Sequence, residues 1–569
     1  MLNNHDDHDD HDKRFREVFL SILSLLQLDS IEPHAKLDSL DPILQFLPGY
    51  QRRRGSQSLK TIRGVISPDD WSRLQSYASR VRGLIIPPHT LDHSSVWSFL
   101  ARHCAGTPLF PDLRVLDAYD ITDRQLTPLL LVLCSSLRDV AISFEGSRSG
   151  SAVLPDILGS VLQTLAQTAP QLKILNLLGD HSLDREHLLH LERFSSIQEI
   201  TFGPQFHFDE AVLFSISKIP TLRDLNIAVR LKRLGRGETR GLDFGDGFRK
   251  LHTLGLRGKS KDLSAVVAAM SPPALEWFEL DFVDSIGANS LEEPLATIAA
   301  HIPDTIKHYS STFCSPLSHA PTSLTDLLQQ LLSKMPDLVS FHLFSDKTPL
   351  SVTNDDLVRI GNAWPQLDRL NVRQWTGRYN QSGVRRPTVA GLAELAKRCP
   401  KLTDLSLPEL SISKKATAAA SPSDSESESG SDPRAIPLLD HHLKELLFQS
   451  LSNSPAGAQY EAAVALDMIF PHLDLGRMRL ALGGPSARAC VQWMNVWRTL
   501  QIMRLGRNNQ LLRDAGAVAG IPKVPEIPVV REERTQGLHG HGVQVAPAPA
   551  ELLLDPSESE GSEVEVEFF

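Results

Sequence analysis

The stretch PQLKILNLL, from Pro170 to Leu178, carries the pattern that decides the fold. In it, Leu172, Leu175 and Leu177 follow the spacing L-x-x-L-x-L. A β-strand turns successive side chains to opposite faces, so Leu175 and Leu177 lie on the same face. The stretch therefore predicts a short strand that points its leucines into a core.

The same pattern recurs along most of the chain, often after a proline and with conservative apolar replacements. The steps from Leu113 to Leu500 have a mean spacing of about 30 residues. The copies begin at Leu113, Leu137, Leu172, Ile197, Leu222, Leu251, Leu275, Leu338, Leu367, Leu402, Leu443, Leu475 and Leu500, with weaker copies at Val81 and Ile306.

Segments with apolar residues at i, i+3, i+4 and i+7 lie between the copies and predict helices. Several of them begin at Asp, Ser or Thr, which are the preferred N-caps, and many end just before a proline. They are Leu154 to Ala169, Asp184 to Phe194, Asp209 to Ile219, Asp262 to Met270, Leu291 to Ile302, Leu324 to Met335, Asp355 to Trp364 and Val389 to Cys399.

A unit of one strand and one helix in about 30 residues is typical of a leucine-rich repeat. Such a unit is too small to bury its own apolar face, so neighbouring units must stack. We predict an α/β fold: an irregular leucine-rich-repeat solenoid, with a curved parallel sheet on the concave side and helices on the convex side. A doubly wound α/β sheet also alternates strands and helices, but the number of similar steps favours the solenoid.

The net charge of −10 comes from three segments that contain no Lys or Arg, namely 1–12, 421–433 and 551–569. Together they hold 16 acidic residues, so the rest of the chain has a net charge of +6. Their composition predicts disorder. The predicted order is a His/Asp tract over 1–14, a helical cap over 15–70, the solenoid over 71–510 with a disordered acidic insert at 411–437, and a disordered acidic tail over 511–569.

Several classes of protein do not fit this sequence. No apolar run reaches the length of a membrane span. The acidic start of the sequence is not that of a secretory signal. Together these two features predict an intracellular protein of the cytoplasm or nucleus. The chain outside the three acidic segments has a net charge of only +6, whereas a nucleic-acid-binding domain is strongly basic. We therefore predict no nucleic-acid partner. The five cysteines form no CxxC pair, and the HDDHDDHD tract cannot hold its ligands in place, so we predict neither a metal nor a cofactor. No catalytic motif is present, which predicts a protein that is not an enzyme.

The predicted binding surface is the concave face, where the residues two, four and six after the first leucine of each copy point outward. Acidic residues fill these positions in the early repeats and arginines in the late ones, and three aromatic residues lie in or beside them. A protein partner of complementary charge would be oriented by such a face. The alternative, that a solvated strand face simply carries charge, stays open. The predicted residues are Asp117, Asp139, Glu199, Asp224, Trp277, Glu279, Asp281, Phe344, Arg369, Arg373, Trp375, Arg477, Arg479 and Arg504.

Two stretches resemble fungal F-box/leucine-rich-repeat proteins, notably those of mushroom-forming fungi. They are KLDSLDPILQFLP, from Lys36 to Pro48, and the segment from Phe110 to Phe144, and the likeness extends over about residues 36–510. No Leu-Pro opener and no closing Leu-Trp are present, so the F-box is expected to be truncated or degenerate, and residues 15–70 are either its remnant or a helical cap.

The resemblance implies a substrate adaptor of a cullin-RING (SCF-type) ubiquitin ligase. In such adaptors the F-box helices bind a Skp-family linker, which joins them to a cullin, and the repeats hold the target. The second interpretation is a stand-alone leucine-rich-repeat interaction or structural protein without a ubiquitin-ligase role.

Overall fold

The structure is a computed structural model that divides into two units, Met1–Gly506 and Arg507–Phe569. It describes residues 36–38, 40–47, 50–52, 60–62, 65–88, 94–122, 125–144, 154–179, 183–231, 242–284, 288–314, 322–346, 350–374, 384–412, 439–452, 456–476 and 491–518. The fold described below belongs to the first unit; the second contributes only the end of the last helix.

The described strands are short, and most of them belong to one main sheet. They are β1 (Lys36–Leu37), β2 (Tyr50–Arg52), β3 (Lys60–Ile62), β4 (Gly83–Ile86), β5 (Val115–Ile121), β6 (Asp139–Phe144), β7 (Ile174–Leu178), β8 (Glu199–Phe202), β9 (His207–Phe208), β10 (Asp224–Val229), β11 (Thr253–Gly258), β12 (Trp277–Phe282), β13 (His308–Phe313), β14 (Thr322–Ser323), β15 (Ser340–Ser345), β16 (Leu350–Ser351), β17 (Arg369–Gln374), β18 (Asp404–Ser411) and β19 (Glu445–Ser452).

The described helices alternate with these strands. They are α1 (Asp41–Leu44), α2 (Pro68–Ala78), α3 (Ser94–Cys104), α4 (Leu126–Leu130), α5 (Leu154–Thr168), α6 (Arg185–Leu188), α7 (Glu210–Ser217), α8 (Ser260–Met270), α9 (Ala288–His301), α10 (Leu324–Leu332), α11 (Asn354–Ala363), α12 (Val389–Arg398), α13 (Ala456–Ile469) and α14 (Val491–Val518). A 3-10 turn, Leu189–Arg193, follows α6.

Among the described residues, fifteen strands form one parallel sheet in which neighbours in the sheet follow each other along the chain. The order is β1-β4-β5-β6-β7-β8-β10-β11-β12-β13-β15-β17-β18-β19, and β9 pairs with the second half of β10. A doubly wound sheet reverses its strand order at a switch point, whereas this sheet advances in one direction. The predicted α/β solenoid is therefore confirmed.

Helices pack against the next helix along the chain, as α8 does against α9 and α11 against α12. Packed helices are about 8–10 Å apart, whereas strands in a sheet are about 4.8 Å apart. The helices therefore need the longer, outer arc, and the sheet lies on the concave side as predicted.

The leucines of the repeat form one continuous core, of which Leu251, Leu254 and Leu256 are typical buried members. The weaker copy at Ile306 also makes a full strand, β13, because Tyr309 fills the place of the second leucine. There the core becomes aromatic: the ring centroids of Tyr309 and Phe341 lie 5.6 Å apart and those of Phe341 and Trp364 lie 5.0 Å apart.

Side-chain caps fix where some helices begin, as predicted from the Asp, Ser and Thr residues. The Asp209 carboxylate accepts a hydrogen bond of 3.1 Å from the Val212 backbone N–H at the start of α7. At the start of α11, the Thr353 hydroxyl oxygen accepts from Asp356 N–H, and the Asp356 carboxylate accepts from Thr353 N–H. Each cap satisfies a backbone donor that has no partner within the helix.

The last two predicted copies of the strand pattern are not described as strands, and the prediction at Leu500 was wrong. Leu500 lies inside α14, where it is buried with Trp493, Val496 and Trp497. That spacing is a helical one, and it outweighs the leucine pattern. In the copy at Leu475, residues 477–480 lie outside the described residues, so the described sheet ends at β19.

The N-terminal region contributes to the sheet before the first repeat. Residues 15–70 contain β1, α1 and a separate antiparallel hairpin of β2 and β3. β1 pairs with β4, which comes later in the chain. The His/Asp tract and the apolar stripe from Phe15 to Leu28 lie outside the described residues. So do most of the acidic insert and the tail, apart from 411–412 at the end of β18 and 511–518 in α14. Among the described helices, none combines the length and the apolar character that crossing a bilayer requires.

Candidate interaction surface on the open face of the sheet

The sheet has one face covered by helices and one face, here called the open face, that carries the alternate side chains of each strand. In β6 and β13 buried and half-buried residues alternate strictly along the strand. The strands are paired in register, so the half-buried residues form three columns across the sheet. The open face is therefore a regular array of polar and aromatic side chains.

At the early end of the open face, acidic side chains lie on adjacent strands. Glu199 of β8 and Asp224 of β10 are Cα partners, and Ile174 separates Glu199 from Asp139 in the same column. Burial, then the neighbouring Asp224 charge, raises the pKa of Glu199; a hydrogen bond from Asn176 opposes the shift. This part of the face has a negative potential that favours a cationic partner group.

Toward the middle of the sheet the acidic residues are partly neutralised. Asp281 forms an ion pair of 3.1 Å with Arg257, its Cα partner on β11. Burial, then the charge of Asp281, raises the pKa of Glu279. Asp281 is therefore less available to a partner than its place in the sequence predicts.

A stacked pair of aromatic rings lies in the first column, in the middle of the sheet. The side chain of Trp277 on β12 is 43% exposed and stacks on His308 of β13, with ring centroids 4.6 Å apart. One column over, His342 Nε2 lies 2.9 Å from the Ser340 hydroxyl. An exposed tryptophan held in place by a neighbouring ring is a preformed apolar contact on an otherwise polar face.

The late end of the open face contains a shallow hollow of about 320 Å³. Arg369 and Arg373 of β17 line it, together with Asp404 of β18 and Glu445 of β19. Arg369 Nε lies 3.6 Å from the Asp404 carboxylate and 3.3 Å from that of Asp368. The hollow therefore offers both signs of charge to a partner.

The predicted change of sign along the array is thus incomplete. Asp404 and Glu445 occupy the same column as Arg369, two residues after Leu402 and Leu443, and offset its charge. Both residues also satisfy the criterion used for the prediction, which takes the positions two, four and six after the first leucine of each copy. His308 and His342 were missed in the same way, since their positions follow from the period of two.

Arg504 does not belong to the open face, so its assignment there was wrong. It lies in α14, and its guanidinium forms an ion pair of 3.1 Å with Asp467 of α13. It also donates hydrogen bonds to the carbonyls of Phe470 and Leu473. Its role is to hold two helices together.

Of the remaining predicted residues, two lie on the open face and three lie outside the described residues. Asp117 and Phe344 lie half-buried on the open face, in β5 and β15. Trp375, Arg477 and Arg479 lie outside the described residues.

Lowered histidine pKa values predict a pH dependence of stability. Burial, then Arg369 and Arg373, lowers the pKa of His342. The folded state therefore disfavours the protonated ring. The neutral ring contributes to stability above the ordinary pKa of about 6.5, and this contribution is lost as the pH falls.

We expect the midpoint of thermal unfolding to fall between pH 7.5 and pH 5.5, and to fall less in His342→Gln. The exposed His252→Gln is the control; an equal drop in wild type and in His342→Gln would contradict the assignment.

Two thiols near the sheet have raised pKa values. Burial raises the pKa of Cys314 to about 11 and that of Cys399 to about 12, so both thiols stay protonated at neutral pH. Within the ranges that the structure describes, His, Cys, Asp and Glu residues do not gather in groups of three that could hold a metal ion. What the face offers is an extended surface for contacts.

No protein-family model matches the sequence, and no curated protein sequence matches it significantly. Among solved structures, the leucine-rich-repeat-containing protein LegL7 from Legionella pneumophila is similar at 14% identity and a TM-score of 0.30, over 55% of this chain and 96% of that one. A protein from Bacteroides fragilis is similar at 13% identity and a TM-score of 0.22, over 51% and 64%. The yeast complex of Rad7 and Elc1 is similar at 13% identity and a TM-score of 0.28, over 60% and 66%.

The class of protein follows from the chain's own architecture. One strand per repeat, buried leucines in register and a sheet that advances in chain order define a leucine-rich-repeat solenoid. Solenoids of this kind present an extended concave surface, and this one carries the array of charged and aromatic side chains described above.

Proposed function

We propose that this chain is a non-enzymatic protein-recognition scaffold whose open face binds a partner protein. The observation that carries the proposal is Trp277, which is exposed and stacked on His308 in the middle of the open face. Acidic residues lie toward one end of the sheet from it, and a hollow with both signs of charge lies toward the other. An aromatic anchor surrounded by polar groups is the usual arrangement of a binding hot spot.

We expect Trp277→Ala to weaken partner binding by about tenfold to a hundredfold, which is the effect of removing a hot-spot residue worth roughly 2 kcal/mol. The measurement is the dissociation constant of an affinity-purified partner, determined by calorimetry. The matched control is Phe214→Ala, since Phe214 is 50% exposed but lies on α7 in the helix layer. Loss of binding in the control with full binding in Trp277→Ala would place the interface on the helices and overturn the proposal.

The more specific form of the proposal is a substrate adaptor of an SCF-type ubiquitin ligase. The sequence resemblance supports it, and the stretch that resembles the segment behind an F-box forms β1 and α1 at the start of the sheet. The concave face would then hold the target, and the region before Lys36 would contact a Skp-family linker.

Co-purification tests the adaptor proposal directly. We expect the full chain to bring down a Skp-family linker and a cullin, and to lose both when residues 1–35 are deleted. Reproducible absence of both proteins, with the partner of the open face still bound, would favour the stand-alone interaction or structural protein. Trp277→Ala should leave the linker bound, which separates the two contacts.

A further inference from the structure

A second polar hollow lies at the edge of the sheet where β9, β10 and β11 end. His207, Ala228 and Arg257 are Cα partners in one row across these strands. Adjacent strands are about 4.8 Å apart, so the His207 and Arg257 positions lie about 10 Å apart. Between them Ala228 is too small to fill the row, and a hollow of about 210 Å³ results.

Two more cations complete the lining. Arg230 and Lys259 each follow this row by two residues, just past the ends of β10 and β11, and both line the hollow. Both are exposed, and neither forms an ion pair with any residue that the structure describes. Four nitrogen-bearing side chains thus surround one hollow.

The negative charges near the hollow do not neutralise these groups. Arg257 is paired with Asp281 at 3.1 Å. Asp262 is the single carboxylate among the described lining residues, and it lies buried in the first turn of α8. The three cations Arg230, Arg257 and Lys259 therefore still outnumber the two carboxylates, Asp262 and Asp281.

Burial and the neighbouring arginines act together on the histidine of the hollow. Desolvation against the sheet, then the charges of Arg230 and Arg257, lowers the pKa of His207. At the start of α8, Asp284 accepts hydrogen bonds of 3.0 Å from the Ser260 backbone N–H and from its hydroxyl. These groups of Ser260 are therefore already bonded within the chain.

We propose that this hollow, lined by His207, Arg230, Arg257 and Lys259, binds the phosphate group of a phosphorylated side chain on the partner protein. A phosphate monoester carries close to two negative charges at neutral pH and three acceptor oxygens. Guanidinium forks match that geometry, and an ammonium adds a point charge. A carboxylate brings one charge and two acceptor oxygens, and therefore fits fewer of these donors than a phosphate does.

The site rests on the proposed function, since it makes phosphorylation a condition for a partner to bind the open face. It lies at the C-terminal edge of the strands, and Arg257 in its lining is on β11, the neighbour of the strand β12 that begins at Trp277. A phosphorylated loop beside a segment that contacts Trp277 could therefore reach it.

Phosphorus-31 line broadening on the full chain tests the site without a partner. The probes are inorganic phosphate and N-acetyl-O-phosphoserine amide. We expect saturable binding of both, weakened roughly tenfold or more in Arg230→Gln/Lys259→Gln, since a hydrogen bond to a charged group is worth about 1.5–3 kcal/mol. The control, Arg373→Gln/Arg369→Gln, removes the same charge from the late hollow and should leave both affinities within about twofold.

Each outcome decides one point. Equal loss in both double variants, or no saturable binding to the wild type, would overturn the site. Binding of inorganic phosphate but not of the phosphoserine amide would contradict a protein-borne phosphate and assign the hollow to the free ion. Loss of phosphate binding in Arg230→Gln/Lys259→Gln while Trp277→Ala keeps full partner affinity would retain the site and reject Trp277 as the anchor of the interface.

Discussion

Trp364→Ala is expected to lower the free energy of unfolding by about 3–5 kcal/mol, the range for removing a large aromatic side chain from a packed core. Trp364 is fully buried at the end of α11, and its ring stacks on Phe341, which in turn stacks on Tyr309. The cavity left by alanine would lie in the core that two consecutive repeats share, those of β13 and β15. Urea unfolding followed by circular dichroism measures the loss.

The matched control is the same change at the surface. Trp277→Ala removes a tryptophan that is 43% exposed, so its effect on stability should be much smaller. Because each repeat contacts only its neighbours, hydrogen exchange in Trp364→Ala should speed up most in β15, β17 and α11. Equal destabilisation by both variants, or exchange that speeds up uniformly from β4 to β19, would contradict the described packing.

Arg504→Ala is expected to lower the free energy of unfolding by about 3–5 kcal/mol, because it breaks an ion pair with the buried Asp467 carboxylate. The side chains of Arg504 and Asp467 are 18% and 6% exposed, and the guanidinium also bonds the Phe470 carbonyl just past the end of α13. Alanine would remove the ion pair and two carbonyl contacts together. The loss is measured as a shift in the unfolding midpoint at constant m-value.

Arg498→Ala is the control for Arg504→Ala, since Arg498 is an exposed arginine on the same helix. It should change stability by less than about 0.5 kcal/mol. Arg504→Ala/Asp467→Ala should recover part of the loss, because no unpaired charge stays buried. A double variant as unstable as the two single losses added together would show that the two side chains act independently.

Much of the fold follows from local pattern. The spacing of Leu251, Leu254 and Leu256 specifies a strand, its inward side and its repeat length, because the backbone of a strand has a fixed period of two. The same rule places Trp277 and Arg369 on the open face. It fails at Leu500, where Trp493, Val496 and Trp497 supply a helical period within the same residues, and the longer apolar stripe wins.

The sequence by itself determined that this chain is a stack of strand-helix units, since each unit exposes an apolar face that only a neighbouring unit can bury. Only the tertiary structure decided which charges remain on its surface. The pairs Arg369 with Asp404 and Arg257 with Asp281 join residues more than twenty positions apart. The hollow above Ala228 likewise depends on its neighbours His207 and Arg257. Coulomb energies depend on distance in space, and that distance is set by strand register and not by spacing along the chain.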